Sequence, residues 1–76
     1  MALDHYLIII AGDVSTRDGI SIEVVKNDEV IIEIFRDDTD KTRTINTFGN
    51  DIPLELMENA IEAFKKEIPW DFVDDE

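Results

Sequence analysis

The stretch Glu29-Val30-Ile31-Ile32-Glu33-Ile34-Phe35 constrains the fold more than any other part of the chain. It is β-branched and aromatic, and Val30, Ile32 and Ile34 recur with period two, the mark of a strand with one buried face. Such a strand needs neighbours along its edges and a second layer over its apolar side. The rest of the chain reads as those partners.

Residues 5–11 form a continuous apolar run whose length and isoleucines favour a strand. Gly12 to Gly19 carry turn chemistry. In residues 19–26, Ile20, Ile22 and Val24 alternate with Ser21, Glu23 and Val25. Lys26-Asn27-Asp28 is a hairpin turn, and side-chain parity bears on its length. Directly opposed residues share a face, so two even-numbered core sets demand an even sum. A two-residue Asn27-Asp28 loop gives an odd sum, so a three-residue loop is expected. One register of that kind opposes Glu23 to Glu33. The expected one avoids that like-charge pair and sets Ile20 opposite Ile34, Ile22 opposite Ile32 and Val24 opposite Val30.

Residues 42–48 read as the last strand, with Ile34 opposite Ile45, Phe35 opposite Thr44 and Ile31 opposite Phe48. Gly49-Asn50-Asp51 ends it. Pro53 opens a helix over residues 53–68, with Asn50 or Asp51 as its cap. Leu54, Met57, Ile61, Phe64 and Ile68 form its apolar stripe. Pro69 stops the helix, and residues 69–76 are an aromatic and acidic tail. The expected fold is α+β: one domain, 1–76, with a four-stranded antiparallel meander (5–11, 19–26, 29–36, 42–48) and one C-terminal amphipathic helix on one face, ββββα. A chain of 76 residues buries only about 60% of its extended surface, so the core is small.

The chain carries 19 acids against 7 bases, a net charge of −12. That argues against nucleic acid and anionic membranes, which bind through Lys and Arg. It permits a basic protein partner. There is no cysteine, hence no disulfide or thiolate metal site. No secretory signal is legible, and a cytoplasmic location is expected.

Chemistry-bearing patterns are sparse. Asp38, Asp40 and Thr42 spell D-x-D-x-T, which resembles the nucleophile loop of haloacid-dehalogenase-type phosphatases, but the parallel sheet and further metal ligands of that chemistry have no counterpart. Counted from Asp38 as a calcium loop, the sixth and twelfth positions hold Arg43 and Gly49 rather than Gly and Glu. The stretch reads as a solvated turn. His5 reads as an edge histidine, without a cleft or partnered nucleophile. Neither an enzyme nor a cofactor is expected.

The face away from the helix is more informative. It is expected to hold Val25, Ile31, Phe35 and Phe48, with Tyr6, Ile8 and Ile10 if the first strand keeps the same alternation. Apolar area of that extent marks an interaction site. Either a second copy covers it, or the tail with Trp70 and Phe72 folds back over it.

Gly19-Ile20-Ser21-Ile22-Glu23, the hairpin into Val30-Ile31-Ile32-Glu33-Ile34, and a closing helix with Leu54, Ile61 and Phe64 together resemble small bacterial immunity proteins of polymorphic toxin systems, nearest the family numbered fifty-three. The resemblance spans residues 19–66. It implies a cytoplasmic, acidic protein that binds and neutralises a toxin domain, and it transfers no binding residue. The expected function is a non-enzymatic protein-interaction module that forms a homodimer through its sheet face, with Val25, Ile31, Phe35, Phe48, Trp70 and Phe72 at the interface. The alternative is an immunity-like inhibitor whose Glu23, Glu33, Asp37, Asp38 and Asp40 face a basic toxin or nuclease cleft.

Overall fold

The computed structural model describes residues 6–13 and 19–73. His5, Ser15 and the final acids Asp74 to Glu76 lie outside the described residues. Four strands, β1 (Leu7–Asp13), β2 (Gly19–Lys26), β3 (Glu29–Asp37) and β4 (Thr42–Asn46), form an open antiparallel sheet in sequence order. One helix, α1 (Leu54–Glu67), follows and lies across β2 and β3. This is the expected ββββα architecture.

The β2–β3 register differs from the expectation, for a stereochemical reason. Asn27 and Asp28 both adopt positive φ, 55° and 65°, so the loop has the two left-handed residues of a type I′ turn. That turn matches the twist of its flanking strands, and Asn and Asp tolerate the conformation. Its odd sum survives only as far as Lys26↔Glu29 and Val25↔Val30. The register then shifts between Val24 and Val25, leaving Ile31 as the extra residue of a bulge, and Val24↔Ile32, Glu23↔Glu33 and Ile22↔Ile34 follow. Parity is thus restored by the bulge, not by a longer loop. The like-charge pair Glu23–Glu33 is accepted; its cost of several tenths of a kcal/mol does not outweigh the turn.

The bulge exchanges two side chains. Val30, expected in the core, stands opposite Val25. Ile31, expected at the outer interface, packs against the core. The β3–β4 register agrees with expectation at Ile34↔Ile45 and Phe35↔Thr44, but β4 ends at Asn46, so Ile31 and Phe48 are not a ladder pair.

The core consists of Ile22, Val24, Ile32 and Ile34 from the sheet and Leu56, Ala60, Phe64 and Ile68 from the helix and its C-terminal cap. Met57 and Ile61 pack at its margin, whereas Leu54 is 68% exposed. The helix is therefore rotated from the expected stripe, with the 56-60-64 row on the sheet. Each buried Ile, Leu or Phe contributes about 1.5–3 kcal/mol. Pro53 occupies the N-cap position without a side-chain cap bond. Asn50, expected as a possible cap, instead closes the preceding turn, donating from its backbone and its Nδ2 to the Thr47 carbonyl at 2.9 Å.

Opposed residues share a side, so the ladder sorts the sheet into two faces. On the helix side the rows are Ile8–Val24–Ile32, Ile10–Ile22–Ile34–Ile45 and Gly12–Ile20–Arg36–Arg43. Ile8 and Ile10 therefore belong to the covered side and not to the open one, and Tyr6 also packs on the core. On the open side the rows are Leu7–Val25–Val30, Ile9–Glu23–Glu33–Asn46, Ala11–Ser21–Phe35–Thr44 and Gly19–Asp37–Thr42.

Phe35 is only 4% exposed although it belongs to the open side. Its ring lies diagonally across Gly19: a Cβ there would stand 3.0 Å from the ring and collide with the Arg36 carbonyl oxygen. Gly19 is thus required by close approach, and the aromatic ring shields its backbone. Gly19→Ala should cost about 2–3 kcal/mol, measured as a lower urea midpoint with an unchanged slope; a loss below a few tenths would show that the approach is not tight.

Candidate interaction surfaces

The residues expected at one interface fall into five places. Val25 lies half-buried on the open face, Ile31 belongs to the core margin, and Phe35 is buried within its own protomer. Phe48 sits in the turn after β4. Trp70 and Phe72 are on the helix side. No single sheet-face patch contains them all.

Phe48 is held in an unfavourable conformation. The turn Thr47-Phe48-Gly49-Asn50 closes through the Asn50 amide to the Thr47 carbonyl, and Phe48 and Gly49 have φ of 55° and 81°. Asn46 Oδ1 accepts the Phe48 N–H at 2.9 Å. A bulky residue in the left-handed region costs about 1–2 kcal/mol, and this one is half exposed at the turn's apex. Phe48→Asn should therefore raise stability by about 0.5–1 kcal/mol, read as a higher thermal midpoint. An unchanged or lower midpoint would mean that the ring contributes packing that offsets the strain.

As far as Val73, the described tail packs on the helix side and not on the open face. It turns beside the helix end and docks over the row that β3 and β4 fill with Arg36 and Arg43. Arg36 donates from Nε and Nη2 to the two Asp38 carboxylate oxygens, at 3.0 and 3.2 Å, and from Nη1 to the Pro69 carbonyl at 2.7 Å. Arg43 donates from Nη2 to the Trp70 carbonyl at 2.7 Å. Its guanidinium lies between two rings, 3.7 Å from the Trp70 centroid and 4.2 Å from that of Phe72. Trp70 also meets Phe64 edge-on, with centroids 6.5 Å apart. The Val73 N–H donates to Asp38 Oδ1 at 3.0 Å, and Lys41 Nζ reaches the Val73 carbonyl at 3.4 Å. Two buried charges, Arg36 and Asp38, thus anchor the tail at Pro69 and Val73.

The acids of the alternative reading are also dispersed. Asp38 is occupied by Arg36 and Val73. Asp37 Oδ1 accepts the Thr39 and Asp40 amides at 3.0 and 2.9 Å, which folds the turn. Asp40 is exposed in that turn. Only Glu23 and Glu33 stand together, opposed and half-buried on the open face.

Sequence reasoning missed two groups. Arg36 and Arg43 share parity with Ile34 and Ile45, a sign that two cations stand on the helix side and need partners there. Within the apolar run Leu7 and Ile9 were not singled out, and Ile10 was expected on the open face rather than the helix side; they are 59%, 39% and 49% exposed on an outer strand.

Burial alone pushes the Asp38 carboxyl up. The Val73 N–H, the Arg36 hydrogen bond and charge, and the Lys41 charge together outweigh it and hold the value below the ordinary one. A lowered folded-state value gives stability that is complete above the unfolded value, about 3.9, and is lost as pH falls below it. Trp70, the one tryptophan of the chain, should keep a constant emission from neutral pH down to about pH 4 and change only below that. A transition centred well above the ordinary carboxylate range would contradict the Asp38 anchor. Among the described residues no helix is long and apolar enough to cross a membrane. No family model matches the chain, and no curated protein and no solved structure matches it.

Proposed function

We propose that this chain is a small, acidic, non-enzymatic protein-interaction module that self-associates through the β1 side of its sheet. The observation that carries the reading is the bare apolar strip of Leu7, Ile9 and Ile10, next to half-buried Val25 and Val30. The helix spans β2 and β3 and leaves this side wet. From Tyr6 to Gly12 the chain has no charged residue. Two copies of a −12 chain repel one another, so an uncharged strip is where they can approach. A second copy would also enlarge a small core.

A second reading rests on Glu23 and Glu33. An opposed acidic pair on the open face weakens the ladder but suits a basic partner, as an immunity-like inhibitor of a toxin or nuclease domain would require. Salt separates the two readings. Screening relieves repulsion between acidic copies but weakens attraction to a basic protein. Sedimentation from micromolar to millimolar protein should show the mass doubling, at lower concentration when salt is raised. A monomeric mass throughout that range would overturn the self-association reading. Recovery of a basic partner at low salt, lost at high salt and with Glu23→Gln, would favour the second.

A further inference from the structure

From the bare β1 edge we infer the mode of assembly: two copies join β1 to β1 in antiparallel fashion about a two-fold axis through Ile9, forming one continuous eight-stranded sheet. This deepens the self-association reading and rests on it.

Three observations select a second copy as the occupant. First, β1 is an outer strand whose only sheet neighbour among the described residues is β2, so alternate backbone amides and carbonyls point outward. Such an edge templates another strand unless it is blunted by lysine, proline, an inward charge or a bulge. From Tyr6 to Gly12 there is neither a charged residue nor a proline, and the β1–β2 register runs without a shift. Second, the opposite edge is treated differently. The β4 side carries Arg43 and the docked tail, so the two edges do not suit one another and an isologous β1–β1 contact is the closed solution. Third, the exposed side chains lie on both faces of the strand: Leu7 and Ile9 on the open side, Ile10 on the helix side. A ligand packed on one face would leave the other wet; a strand added at the edge shields both.

Parity then selects the register. A two-fold axis normal to the sheet keeps each face on its own side, so paired residues must have an even sum. The axis through Ile9 pairs Ile9 with Ile9, Ile8 with Ile10, Leu7 with Ala11 and Tyr6 with Gly12 of the second copy. All seven uncharged residues are used. An axis through Ile10 would instead place Asp13 against Leu7.

The chain has no cysteine, which permits a clean test on the whole 76-residue chain. At the two-fold, the Ile9 Cα atoms would stand about 4.5–5.5 Å apart, within disulfide range. Ile9→Cys should oxidise to a disulfide dimer at least tenfold faster than Leu54→Cys, a control on the exposed helix start. Hydrogen exchange on the unaltered chain needs no variant: alternate β1 amides should slow as protein concentration rises. A dimer that forms without either signature overturns the strand-to-strand mode while leaving self-association standing. A preference for Ile10→Cys over Ile9→Cys overturns the register. A chain that stays monomeric overturns both.

Discussion

The β2–β3 hairpin decides what every other residue of the sheet can do. Its two-residue turn places Asn27 and Asp28 in the left-handed region and fixes an odd pairing sum. An odd sum cannot put two alternating apolar sets on one side of a sheet. The bulge at Ile31 resolves that conflict by adding one residue to β3. Beyond it Ile22, Val24, Ile32 and Ile34 all meet the helix, and before it Val25 and Val30 face the other way.

A single helix is narrower than four strands. Lying over β2 and β3, α1 buries the middle of each helix-side row and leaves its ends half wet, Ile10 on β1 and Ile45 on β4. The two edges are then handled by different physics. At the β4 side, Arg36 and Arg43 replace apolar residues, and the tail lays backbone carbonyls and two aromatic rings on them. The Arg36–Asp38 pair costs desolvation, which the hydrogen bonds from Arg36 to the Pro69 carbonyl and from the Val73 N–H to Asp38 offset. At the β1 side no such device exists among the described residues, and the uncharged strip is the surface on which the proposed assembly rests.

The elements were legible because strand and helix periods differ, and the β3–β4 register was legible because setting Ile34 opposite Ile45 puts both apolar side chains on the core side. The β2–β3 register was not, because it depended on weighing a weak like-charge term against turn geometry, and a bulge leaves no periodic trace. The helix phase was missed because Ala60 contributes little to an apolar stripe while Leu54 contributes much, although only Ala60 reaches the sheet. Phe35 looked like an interface residue since nothing in its alternation announces that Gly19, sixteen positions earlier, gives its ring a seat. The tail's position was signalled by the parity of Arg36 and Arg43, but only once the covered side was known. The acidic patch of five carboxylates dissolved for a local reason: Asp37 and Asp38 are consumed by the turn and the tail.

The partition into covered, tail-docked and bare regions follows from the β2–β3 pairing, and that pairing can be read directly in solution. Cross-strand proton–proton nuclear Overhauser contacts should link Ile22 with Ile34 and Val24 with Ile32, and then, across the bulge, Val25 with Val30. Contacts linking Ile22 with Ile32 and Val24 with Val30 would contradict the account, for they would return Val30 to the core and Ile31 to the open face.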